Sequence, residues 1–167
     1  MSDPLSPSGC IYRALICDDD STMGRVIGDT LISTFPRISG ESSGDSCACE
    51  TVITRNAFDS LMHLKQGKFD ILITDILMPR MDGIELIIEA KRLTPTLTIV
   101  AYTGDGALAK FRDGPSFLEI ALEMGADWAF ARRTVSAELI DLIVSGQFPP
   151  QPRSRGTELR SVQDRDI

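Results

Sequence analysis

Thirteen residues, Ile71-Leu-Ile-Thr-Asp75-Ile-Leu-Met-Pro79-Arg-Met-Asp82-Gly83, constrain this chain more than any other stretch. The first four, mostly apolar, read as a buried strand, and Asp75 stands where that strand ends. Pro79 and Gly83 then turn the chain into the apolar-periodic run Ile84 to Ala90, which reads as a helix. An acid at the C-terminal edge of a strand in an α/β sheet stands where such folds place their chemistry. Upstream, Leu15-Ile16-Cys17-Asp18-Asp19-Asp20 repeats the pattern with three carboxylates in a row. Two strand ends that bring acids to one crevice describe a Mg²⁺ site, with Asp75 as candidate nucleophile.

The rest of the chain keeps the alternation of strand and helix. Arg13 to Cys17 reads as the first strand, and Ser21 or Asp20 can cap a helix over roughly Thr22 to Thr34. A polar loop, Arg37 to Ser46, leads to a strand over Cys47 to Ile53 and a helix near Arg55 to Gln66, stopped by Gly67. Phe69 to Thr74 is the third strand, Gly83 to Arg92 the third helix and Leu97 to Ala101 the fourth strand. A short apolar patch at Ala107 to Phe111 precedes Asp113-Gly114-Pro115, which opens a helix running to Met124. Trp128 to Ala131 is the fifth strand, and Ser136 caps a last helix that Gly146 closes. This order predicts an α/β fold, a doubly wound, five-stranded parallel sheet with helices on both faces. Residues 1–10 are expected to form a disordered lead. Residues 147–167, with three prolines, several arginines and no apolar periodicity, are expected to form a disordered tail too short for a second domain.

The net charge of −7 over 167 residues argues against a general binder of nucleic-acid backbones, so no direct DNA binding is expected. Cys10, Cys17, Cys47 and Cys49 have no secretory signal beside them, and no window approaches a membrane span. Cys47-Ala-Cys49 is spaced too tightly for the usual metal or redox pair. Reduced thiols in a cytoplasmic protein away from membranes are the expectation.

Four strand ends carry the chemistry. Asp18 and Asp19 follow strand one and Asp75 ends strand three. If those strands are neighbours, three acids with no balancing cation repel, and Mg²⁺ resolves the repulsion. Thr103 ends strand four with a hydroxyl, and Gly104 beside it leaves room for a phosphoryl group. Arg132 and Arg133 follow strand five and can bring a positive charge to that group. Taken singly, the acidic run is a solvated helix lead-in, Thr103 a turn residue and the arginine pair a solvated face. Their co-occurrence at successive strand ends is the inventory for phosphoryl transfer onto an aspartate.

Residues 11 to 146 resemble the receiver domain of the two-component response regulators, a chemotaxis-regulator-like, flavodoxin-like fold with strand order 2-1-3-4-5. Asp18-Asp19 matches the family's acidic pair, and Ile71 to Gly83 its phosphoacceptor motif. Ala101-Tyr-Thr103-Gly matches the switch threonine segment, and Gly125-Ala-Asp127 the motif before strand five. The resemblance implies that Asp75 is phosphorylated from the phosphohistidine of a histidine kinase or histidine phosphotransfer protein. It implies Asp19 as direct Mg²⁺ ligand, Asp18 as an acid reaching the metal through water, and the Leu77 carbonyl as a further ligand. Thr103 would swing toward the phosphoryl group and move the strand-four/helix-four surface for partner binding. Such a chain catalyses its own phosphorylation and dephosphorylation without being a conventional turnover enzyme, and is expected as a monomer or weak homodimer.

Two positions depart from the family. Its lysine after strand five is here Arg132-Arg133, with Arg132 the aligned residue, and a planar fork does not replace a compact ammonium one for one. Its second, aromatic switch aligns with Ala129, so Tyr102 or Trp128 takes over or signalling proceeds differently. Extra sequence around Ala107 to Gly114 lengthens the connection to helix four. These departures motivate a rival, a receiver-like adaptor that binds partners without regulated phosphorylation. A minor enzymatic rival is a haloacid-dehalogenase-like phosphatase, since Asp18-Asp-Asp20-Ser-Thr22 fits its first motif. It lacks the later adjacent acidic pair and leaves the match at Asp75 to Gly83 unused.

Overall fold

The computed structural model describes residues 11–38, 48–104 and 114–147. Strands and helices alternate: β1 (Ile11–Cys17), α1 (Ser21–Ile38), β2 (Ala48–Thr54), α2 (Ala57–Gln66), β3 (Ile71–Asp75), α3 (Gly83–Leu93), β4 (Thr98–Thr103), α4 (Phe117–Glu123), β5 (Trp128–Ala131) and α5 (Val135–Val144). The sheet is parallel throughout in the order β2-β1-β3-β4-β5, the flavodoxin-like arrangement. The lead over 1–10, residues 39–46 of the polar loop, the apolar patch with the extra sequence through Asp113, and the tail beyond Gln147 lie outside the described residues.

The hydrophobic pattern explains the layering. β3 and β4 are buried at every position, as strands covered on both faces must be. On one face, Tyr12, Ile16, Ile73, Val100 and Tyr102 pack under Ile27, Leu31 and Phe35 of α1 and Leu139 and Ile143 of α5. On the other, Leu15, Leu72, Ile99 and Ala101 pack under α2, α3 and α4 through Leu64, Leu86, Ile87, Ala90 and Ala121. Alternate residues of one strand thus feed opposite cores, the period-two rule at work.

Two local readings need correction. Pro115 is not inside the fourth helix. Ser116 is its N-cap, closing a capping box with Glu119, so the proline stands outside the first turn. Ser136 does not cap the last helix either; it lies inside α5, and Thr134 holds the N-cap position without a side-chain cap bond. The chain turns directly at β5's exit, where the Thr134 N–H donates to the Ala131 carbonyl at 3.0 Å, so the helix begins at Val135, before Ser136 is reached. The first helix also runs four residues past Thr34, to Ile38.

The motif at Asp75 has a steric explanation. Asp82 caps α3 by accepting the Glu85 N–H at 2.9 Å, and the Gly83 N–H donates to the Ile76 carbonyl at 2.8 Å. The backbone of Gly83 therefore lies against β3's end. A Cβ there would collide with the Asp75 carbonyl oxygen and come 2.7 Å from Ile76 Cα. Both obstacles are backbone and cannot swing aside. Gly83→Ala is expected to cost more than about 2 kcal/mol of stability, the range of a steric clash in a packed interior, read as a lowered denaturant midpoint.

Candidate active site at the carboxyl edge of the sheet

Strand order and register decide which residues meet. The chain leaves β1 toward β2 in one direction and builds β3, β4 and β5 in the other, so the crevice opens beyond the ends of β1 and β3. Cys17 pairs with Thr74, so Asp18 and Asp75 leave the sheet side by side. Asp75 pairs with Tyr102 and Thr103 with Ala131, which brings Thr103 and Arg132 to the same edge. Asp18, Asp19 and Asp75 each present a carboxylate oxygen, all within 4.8 Å of one another. Asp18 and Asp75 are buried and Asp19 is exposed.

The expectation that these acids lack a balancing cation is corrected. Arg132 crosses from β5 and places Nη2 3.1 and 2.9 Å from the two oxygens of Asp18. The same nitrogen lies 3.7 Å from Asp20 Oδ2 and 3.8 Å from Asp75 Oδ2. Asp18 is further held by the Asp20 N–H, 2.8 Å from Oδ1, and by the Tyr102 hydroxyl, which donates to Oδ2. Among the described residues, Asp75 accepts one hydrogen bond, from the Leu77 N–H at 3.1 Å. Burial pushes its carboxyl up to about 6; the Leu77 bond and Arg132 pull the other way, while Asp18 and Asp19 add to the rise.

Among the described residues, two buried side-chain polar atoms have no partner, Thr103 Oγ1 and Arg132 Nε. Both stand at the ends of β4 and β5, the two strands that follow β3 on one side of the sheet. Beside Thr103, a Cβ built on Gly104 meets nothing within 4 Å among the described residues. The cluster of hard carboxylate oxygens in a partly neutralised crevice fits a divalent ion with few protein ligands, and Mg²⁺ among such ions.

Of the residues anticipated from sequence, Asp18, Asp19, Asp75, Thr103 and Arg132 come together at this edge, while Arg133 is exposed. Leu77 is present through its N–H. Ala129 faces the α2–α4 core. The sequence offers Tyr102 only as a substitute for the rotating aromatic. It is instead fully buried in the α1–α5 core and tied to Asp18. The available signal was a phenol in an otherwise apolar strand, since a buried tyrosine hydroxyl must find a partner. Asp18, enclosed and held by two side chains, is also badly placed to be the nucleophile that the phosphatase reading requires.

A family model described as the response regulator receiver domain matches residues 14–143. The response regulator receiver protein CpdR of Brucella abortus is 33% identical over 97 residues, covering 58% of this chain and 70% of CpdR. The uncharacterized transcriptional regulatory protein YesN of Bacillus subtilis is 32% identical over 96 residues, but the chain spans only 23% of YesN's length. A CheY-like receiver domain from Methanospirillum hungatei superposes with a TM-score of 0.61 at 23% identity, over 81% of this chain and 93% of that one. At that identity the superposition shows a shared fold. No helix among the described residues is long and apolar enough to cross a membrane.

Proposed function

We infer the function of this chain from one premise: it belongs to the response regulator receiver-domain family of two-component phosphorelay signalling, and it carries an Asp18/Asp19/Asp75 cluster suited to metal-assisted phosphoacceptor chemistry. Asp75 accepts a phosphoryl group from the phosphohistidine of a histidine kinase or histidine phosphotransfer protein. A carboxylate oxygen of Asp75 attacks phosphorus, an O–P bond forms, and the P–N bonding pair returns to the departing imidazole. The receiver unit is residues 11–146.

The observation that carries this reading is the pair of unpartnered buried donors. A phosphoryl group on Asp75 brings three acceptor oxygens into a crevice where Thr103 Oγ1 and Arg132 Nε stand without partners. Leaving a buried donor unmade costs about 1–3 kcal/mol, so two at one edge mark a place built for an absent acceptor. Thr103 meets the phosphoryl group from β4, and its movement switches the strand-four/helix-four surface that partners read. Arg132 meets it from β5. Asp19, Asp75 and the Leu77 carbonyl would hold Mg²⁺, with Asp18 reaching it through water, and the ion would supply positive charge that offsets the carboxylates. Asp75 keeps one oxygen free of protein hydrogen bonds, as a nucleophile requires.

Incubation with a small phosphodonor and Mg²⁺ should add one phosphoryl mass, labile as an acyl phosphate. Mg²⁺ alone should raise the melting temperature by mass action, and Asp19→Asn should remove that rise. A chain that stays unmodified by phosphodonors, by candidate kinases and by beryllofluoride would instead be a phosphorylation-independent adaptor.

A further inference from the structure

Asp18 is saturated. A carboxylate offers about four lone-pair sites, and here Oδ1 takes the Asp20 N–H and Arg132 Nη2, while Oδ2 takes Arg132 Nη2 and the Tyr102 hydroxyl. Arg132 reaches both oxygens with one nitrogen, so it holds Asp18 by a shared contact. Tyr102 is fully buried in the core under α1 and α5, and its ring has no room to leave. Its own carbonyl accepts the Ile76 N–H at 2.8 Å, one residue past Asp75, and Thr103 follows it directly. One residue therefore touches Asp18 through its side chain and the Asp75 segment through its backbone, and it precedes the unpartnered threonine.

We propose that Tyr102 is a positioning residue whose hydroxyl shares the charge of Asp18, so that Arg132 can leave Asp18 for a phosphoryl group on Asp75. Donors to one carboxylate divide its charge, and each weakens the pull on the other. With the phenol in place, the departing arginine leaves a carboxylate that still has a side-chain donor. Without it, the buried charge is left to one backbone N–H and holds Arg132 more tightly. The idea rests on the phosphoacceptor reading for its consequence, but the Tyr102–Asp18–Arg132 linkage is a property of the resting site.

The test is a double-mutant cycle. Beryllofluoride is titrated into protein saturated with Mg²⁺, with the fluorescence of Trp128, the one tryptophan of the chain, as readout. Tyr102→Phe should raise the beryllofluoride Kd about fivefold, the equivalent of one net hydrogen bond, and should change it less than about twofold in an Arg132→Gln background. An unchanged Kd, or the same loss with and without Arg132, overturns the proposal even if Tyr102→Phe lowers the melting temperature. A parent that does not respond to beryllofluoride removes the phosphoacceptor reading and this one together. A responding parent beside an equally responsive Tyr102→Phe removes the role of Tyr102 alone. Should Tyr102→Phe fail to melt cooperatively, Tyr12→Phe leaves Tyr102 as the one tyrosine. Its ultraviolet absorption should then shift to the red on adding beryllofluoride, as its bond to Asp18 strengthens; no shift overturns the proposal.

Discussion

Replacing Asp75 with asparagine is expected to have two opposite effects. It should abolish phosphoryl labelling, because the amide oxygen is no nucleophile toward phosphorus at neutral pH. It should also stabilise the metal-free protein. Burial lifts the Asp75 carboxyl to about 6, above the usual carboxylate range. The folded state therefore binds the Asp75 proton more tightly than the unfolded chain does. Between pH 4 and 6 stability falls as pH rises, and above about 6 the full cost of the buried charge is present. At 1.36 kcal/mol per pKa unit that cost is about 1–3 kcal/mol. Asparagine removes it while Arg132 keeps Asp18 as its partner. In chelator at pH 7.5 the Asp75→Asn protein should melt several degrees above the parent. The gap should close as pH approaches 4, and saturating Mg²⁺ should narrow it at any pH by stabilising the parent. A parent that melts higher than Asp75→Asn in chelator at pH 7.5 would show that Asp75 is not the strained member of the cluster. Labelling that persists in Asp75→Asn would move the acceptor elsewhere.

The strand ends were legible because they depend on short apolar runs followed by acids, a pattern one strand long. Placing Asp18 beside Asp75 needed only the order of β1 and β3, and the motif at Asp75 to Gly83 declares its own turn. The error at Ser136 and the misplaced Pro115 are failures of local reading. Several adjacent residues can cap a helix, and only the entry angle of the chain selects one. The pairing of Arg132 with Asp18 was hidden for a different reason. The two are 114 residues apart in sequence, and their contact exists only because the sheet sets the end of β5 three strands from the end of β1 at the same edge. Tyr102 was hidden by its surroundings. In Thr98 to Thr103 every position is buried, so its ring reads as core and nothing local reveals that its hydroxyl ends on an acid.

Arg132→Ala is expected to weaken the response to beryllofluoride far more than Arg133→Ala. In the resting site Arg132 sits 3.8 Å from Asp75 Oδ2, within a short side-chain movement of any group attached there. Its Nε is buried without a partner, so the resting contacts leave one donor of the fork unused. A phosphoryl oxygen can take that donor, and a charge-assisted hydrogen bond of this kind contributes about 1.5–3 kcal/mol before desolvation. That corresponds to roughly 10- to 100-fold in beryllofluoride affinity. Arg133 is exposed, and its removal should change the affinity by less than about twofold. Mg²⁺ binding should survive in Arg132→Ala, since the cation that competes for Asp18 has gone and the three carboxylates remain. Arg132→Lys keeps the charge but loses the planar fork, so it separates the need for charge from the need for geometry. A structure of the activated form decides the matter directly. If both arginine side chains lie more than ~6 Å from the phosphoryl oxygens, beyond direct or single-water contact, then Arg132 serves only to neutralise the resting acids, and the cation that couples β5 to the phosphoryl group must be sought on another element.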